Sequence, residues 1–155
     1  MAIRNVYTKD DEALRKICKP VEKFDGKLAE LLDDMKETLL KANGVGLAAP
    51  QVGIVRRIAI VDTGEEVLEL VNPEIISKSG KKRGIEGCLS CPKEWGYVTR
   101  PLTCTVKAQD RNGNYYEKEL TEMACRCACH EVDHLDGRLF IDIADEMVDV
   151  KEETD

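Results

Sequence analysis

The chain has only two histidines, and they stand four apart in His130-Glu131-Val132-Asp133-His134. On a helix that spacing puts both imidazoles on one face, one turn apart, where they can grip a single metal ion. Two imidazoles are seldom enough, because a catalytic metal usually takes three protein ligands and keeps a fourth position for water. The third ligand must therefore come from a cysteine or a carboxylate elsewhere. Cys88 stands out, because in Glu86-Gly87-Cys88-Leu89-Ser90 a glycine allows a tight backbone bend beside an ion. Alone, such a cysteine would read as a small apolar core residue. The paired-histidine helix in the same chain shifts the reading toward a ligand.

A second stretch with chemical potential is Gly44-Val45-Gly46-Leu47-Ala48-Ala49-Pro50-Gln51. It is too apolar for an exposed linker, and Pro50 argues against a central strand. No Lys-Ser or Lys-Thr follows, so it is a poor phosphate loop. Its glycines allow close approach of backbone to a ligand or to another strand. Gln51 is the one side chain there that can offer an amide N–H to a developing negative charge.

The elements that must position these residues are partly legible. A helical turn is expected around Asp10 to Cys18, stopped by Pro20. Leu28, Leu31, Leu32, Met35, Leu39 and Leu40 form an apolar stripe at helical spacing, opened by Asp25-Gly26 and closed by Asn43-Gly44. Short apolar runs at 57–62, 67–71 and 75–76 read as strands. Alternation from Thr103 to Gln109, a turn at 110–114 and a return through 115–120 read as a hairpin. Strands joined by short turns, with helices at each end, predict an α+β fold of antiparallel sheets around the histidine helix.

At 155 residues the chain suits one domain, and its 43% apolar content is enough for one core. A net charge of −7 without a basic cluster argues against nucleic acid. No apolar run approaches the ~20 residues of a membrane span, and Met1-Ala2-Ile3-Arg4-Asn5 lacks the apolar stretch of a signal peptide. A cytoplasmic protein is expected, with an acidic tail from about 145 that frays. Seven cysteines, an odd number, then read as reduced thiols. Cys125, Cys127 and Cys129 alternate, and neighbours two apart on a helix point about 200° apart. Inert packing is favoured over a redox device.

The chain closely resembles the peptide deformylase family, bacterial type. The resemblance rests on residues 44–51, 86–90 and 130–134 in that order, with Val71-Asn72-Pro73, Arg100-Pro101 and the run from Leu135 to Asp142 around them. It implies a metal-dependent hydrolase that removes the formyl group from the N-terminal methionine of new polypeptides. Cys88, His130 and His134 would hold one divalent metal, Fe2+ in the cell, with Zn2+, Ni2+ or Co2+ as substitutes. Glu131 would serve as general base and then acid. Gln51 and the backbone N–H of Leu89 would steady the oxyanion. Peptide backbone would lie along Val45-Gly46 and Glu86-Gly87, and the methionine side chain would enter a pocket walled by Met123 and Cys127. Asp133, Glu86 and Arg100 are the charges placed to support the ligands. The partners implied are N-formylmethionyl peptides and nascent chains, met close to the ribosome.

Three residues depart from the family pattern: Cys91 replaces an aliphatic residue, Cys129 a glutamine and Glu122 a glycine. The first opens a rival reading, a closed zinc site of Cys88, Cys91, His130 and His134 in a binding module. The gap between those pairs is far longer than in zinc fingers. A general HExxH peptidase is a third reading, weakened because the third ligand would be an upstream thiolate. The short acidic C-terminus also differs from deformylases with a long basic terminal helix.

Overall fold

A computed structural model describes residues 2–148. Its centre is a five-stranded antiparallel sheet with a long helix on each face. The strands are β1 (Gly46–Ala48), β2 (Ile58–Asp62), β3 (Val67–Ser79), β6 (Thr103–Gln109) and β7 (Tyr115–Thr121), in the order β1-β2-β3-β6-β7. The period of two along β2 sends Ile58 and Ile60 to the core under α1 (Gly26–Ala42). It sends Ala59 and Val61 to the core under α2 (Glu122–Leu135). A second antiparallel sheet, β4-β5-β8, contains β4 (Lys82–Cys88), β5 (Cys91–Arg100) and β8 (Glu146–Met147). The short α3 (Phe140–Ile143) joins the core beside β5.

α1 forms where the apolar stripe predicts. The Asp25 carboxylate accepts the Leu28 N–H at 3.1 Å, and Asn43 closes the helix in the left-handed region at φ 55°. Leu40 does not belong to the buried stripe: it is 78% exposed. The helical face rotates past it because 3.6 residues per turn brings Leu39, not Leu40, back over Met35 and Leu32.

The strand readings need three corrections. The runs at 67–71 and 75–76 belong to one strand, β3, which passes through Asn72-Pro73 with a register shift. Proline has no N–H to give the ladder, so the irregularity falls there. Asn72, at φ 52°, bonds Val21 and Gln109 instead. β4 and β5 are not foreseen, because their glycines, Pro92 and charges obscure any alternation. Fraying from about 145 is not found at residues 145–147: residues 146–147 form β8, and Asp145 and Glu146 pair with Arg83. The rest of that acidic segment, from 149, lies outside the described residues.

The histidine helix is tied down at its end. Arg57 donates to the Leu135 carbonyl and to Asp136, and the Cys18 N–H also donates to the Leu135 carbonyl. Gly137 follows at φ 76°, where an added Cβ would lie 2.7 Å from the backbone oxygen of Arg15. Gly137→Ala is therefore expected to lower stability by about 2 kcal/mol or more. That corresponds to a Tm fall of roughly 4–8 °C in a thermal melt. Gly26→Ala meets nothing within 4 Å and should leave the Tm unchanged or raise it slightly.

Candidate active site

The β4–β5 hairpin turns at Leu89-Ser90, which sets Cys88 opposite Cys91. The ladder slips between Glu86 and Cys88, at Gly87. There the Trp95 ring lies 2.4 Å from where a Cβ would stand, so this close crossing needs glycine. The slip presents Cys88 to α2. The sulfur of Cys88 comes to 3.3 Å from His134 Nε2, and one donor atom each from Cys88, His130 and His134 lie within 4.8 Å of one another. The edges of a tetrahedral zinc-type shell of such donors are ~3.3–3.6 Å. Cys91 is beside Cys88 but outside that cluster, so no closed four-ligand set forms among the described residues.

Each imidazole is prepared differently. His130 Nδ1 lies 2.9 Å from Glu86 Oε1, which leaves Nε2 to face the cluster. Burial drives His134 well below an ordinary histidine, so its ring is neutral and can bind through Nε2. Glu86 itself is buried. It accepts Arg100 Nε at 2.9 Å, Arg100 Nη2 at 3.0 Å and Arg126 Nη1 at 2.6 Å. Burial pushes its pKa up, but the His130 and Arg100 hydrogen bonds prevail and hold it at about 2. Arg100 also binds Asp133 at 2.5 Å. Sequence singled out Glu86, Arg100 and Asp133 but not Arg126, whose only local signal is its place one turn before His130.

Glu131 is buried against the cluster, and its Oε1 has no hydrogen-bond partner. Burial lifts its carboxyl to about 7. An orphaned carboxylate oxygen beside one thiol and two imidazoles fits a divalent cation and the water it would bring. Gln51 closes the site from the turn after β1. Its Oε1 accepts the Ala48 N–H at 2.9 Å, which fixes the amide so that Nε2 points to Ser90 Oγ at 3.1 Å and Cys88 Sγ at 3.5 Å. Ser90 is a partner that sequence did not suggest.

A cleft of about 480 Å³ opens above these groups. Val45, Gly46, Glu86, Gly87, Leu89 and Cys127 all line it, with Met123 at its exposed outer wall. Glu86 reaches it mainly with backbone, since its carboxylate is turned to His130 and the arginines. Trp95, Ile85 and Arg126 also line the cleft and were not anticipated. β1 is the outer strand of one sheet and β4 the outer strand of the other, so two unpaired strand edges border the same cleft.

An HExxH helix, an upstream cysteine and an open cleft between two antiparallel sheets define a metal-dependent hydrolase. The polypeptide deformylase family model matches residues 3–150. A peptide deformylase of Caldicellulosiruptor bescii is 55% identical, covering 92% of this chain and 86% of that relative. One from Alkaliphilus metalliredigens is 50% identical, over 92% and 97%. The crystal structure of the Thermotoga maritima peptide deformylase superposes with a TM-score of 0.91 at 40% identity, covering 93% of this chain and 99% of that one. The Legionella pneumophila structure gives 0.89 at 46% identity, over 92% and 86%. The chain belongs to the polypeptide deformylase family, metallohydrolases that take the N-formyl group from new polypeptides.

Gly46 shows how little room the carboxylate has. A Cβ there would stand 2.5 Å from Glu131 Oε2. The clash is with a side-chain tip, so in Gly46→Ala the fold should persist while the carboxylate moves. Deformylation is expected to fall roughly 10²-fold, with circular dichroism and bound-metal content unchanged.

Proposed function

We propose that this chain hydrolyses the formyl amide of N-formylmethionyl peptides and nascent chains, releasing formate and a free α-amino group. One divalent ion would be held by Cys88 Sγ, His130 Nε2 and His134 Nε2. One thiolate with two imidazoles suits iron or zinc; Fe2+ is the ion proposed in the cell, and Zn2+, Ni2+ or Co2+ could replace it in purified protein. When bound, the ion supplies Lewis acidity, which lowers the pKa of water toward ~7.

The protein's own groups do the rest. Glu131 takes the proton of the attacking water on its unpartnered oxygen and delivers it to the departing nitrogen. Its environment keeps that carboxyl near neutrality, so both transfers are within reach at cellular pH. As the formyl oxygen gains charge, Gln51 Nε2–H and the Leu89 backbone N–H donate to it. The Ala48–Gln51 hydrogen bond fixes the amide plane before substrate arrives, so that Nε2–H need only exchange its long 3.5 Å contact with Cys88 Sγ for the oxyanion.

The peptide is proposed to lie extended between Val45-Gly46 and Glu86-Gly87, adding a strand to the edges of β1 and β4. Main-chain pairing of that kind is indifferent to most side chains, as an enzyme acting on many N-termini requires. The methionine side chain would pass between Met123 and Cys127. Acting on nascent chains, the enzyme would work in the cytoplasm, in transient proximity to the ribosome. Among the described residues no helix is long and apolar enough to cross a membrane.

The observation that carries this reading is Glu131 Oε1, buried without a partner beside the Cys88–His130–His134 donors. Anaerobically prepared wild type and Glu131→Gln should bind the same amount of metal. With a formyl-Met peptide, formate release by the variant should be ~10²–10⁴-fold slower. Equal rates at equal metal content would remove Glu131 from the mechanism.

A further inference from the structure

The helix that carries His130 and His134 carries a second pair four residues apart. Cys125 and Cys129 lie roughly 100–140° round α2 from His130, on the side that packs against the five-stranded sheet. There Cys104 of β6 meets them, and the three sulfurs lie within 4.8 Å of one another. All three residues are buried, at 1%, 0% and 7% exposure for Cys104, Cys125 and Cys129. α2 thus bears two pairs of ligand-type side chains, each completed by a cysteine from a different sheet. Cys88 of β4 completes one and Cys104 of β6 the other.

Packing alone gives no reason for three sulfurs to converge, since alanine or valine fills such core positions equally well. Cys125 Sγ donates to the Pro101 carbonyl at 3.3 Å, and otherwise the three sulfurs lie against one another. No histidine, carboxylate or fourth cysteine joins them among the described residues; Val106, Ala108, Leu120 and Ala128 share the same core, and the charges nearest Cys129, Arg100 and Asp133, are paired with each other. This donor set selects a soft ion. Its depth also selects a charge. Three thiolates around a divalent ion leave a net negative charge and an empty coordination position in an apolar core, which is costly. Around a trivalent centre that accepts three sulfurs, the sum is zero.

We propose that Cys104, Cys125 and Cys129 form a second site, for a trivalent thiophilic metalloid of the arsenite type. In the binding step As(OH)3 forms three As–S bonds as its three As–O bonds break. Each thiol proton leaves with one hydroxyl as water, so three waters are released and nothing is oxidised or reduced. The product cross-links α2 to β6 and so stabilises the seat of His130 and His134.

The test uses metal-loaded enzyme, in which Cys88 is occupied, incubated with sodium arsenite without added thiols. Native mass spectrometry should show one arsenic gained and three hydrogens lost per chain. Three fewer thiols should alkylate, and the Tm should rise. Cys104→Ala should lose the adduct while keeping deformylase turnover as evidence of its fold, and Cys125→Ala serves if that variant does not fold. Cys18→Ala should keep the adduct. No adduct, an adduct that costs only two thiols, or one that persists in a folded Cys104→Ala or Cys125→Ala protein would overturn the proposal.

Discussion

The arrangement depends on one buried carboxylate. Glu86 is buried and is held by three side chains, the imidazole of His130 and the guanidiniums of Arg100 and Arg126. A charge buried without such partners would cost several kcal/mol. Here Glu86 and Asp133 balance Arg100 and Arg126, so the cluster is neutral as a whole and its members are nearly all satisfied. It also spans three elements: Glu86 on β4, Arg100 on β5, and Arg126, His130 and Asp133 on α2. The charges therefore lock the hairpin to the helix while setting which nitrogen of His130 faces the cleft. Structure and chemistry rest on the same hydrogen bonds.

The two sheets have separate tasks. The five-stranded sheet is buried on both faces, by α1 and α2, and forms the rigid body against which the histidine helix is fixed. The smaller sheet is anchored through Cys91, Val98, Leu139 and Phe140 to a core of its own. α2 bridges them, so a cleft remains where the strand edges of β1 and β4 approach without pairing. Exposed edges normally invite aggregation. Here they border a recessed groove, where the proposed extended peptide would use the same unpaired groups.

Close approach at two glycines completes the cleft. Gly46 leaves space for the Glu131 carboxylate, and Gly87 lets the Trp95 ring cross the hairpin. Both serve by lacking a side chain rather than by adopting an unusual backbone, since neither is among the positive-φ glycines. From residue type alone Gly46 allows close approach to a ligand or strand and Gly87 a tight bend beside an ion; the fold brings the Glu131 carboxylate and the Trp95 ring into those spaces.

Much of the site was legible because it is local. The four-residue spacing of His130 and His134, the glutamate between them and the stripe of α1 with its Asp25 and Asn43 ends follow from helix geometry alone. Cys88 and Gln51 could be singled out by residue type and by family resemblance. The pairing of Glu86 with Arg100, Asp133 with Arg100, and Arg126 with Glu86 could not, because each joins residues at least fourteen positions apart. β4 and β5 escaped notice for a related reason. Their residues were chosen for contacts across the cleft and the hairpin, not for a regular inside and outside. The amino-acid sequence by itself determined which groups can bind metal, move a proton or end a helix, since these are properties of single residues and short spacings. Only the tertiary structure decided which charges neutralise one another, which sulfurs meet and which strand edges stay open, because those depend on distances between elements that the chain brings together only on folding.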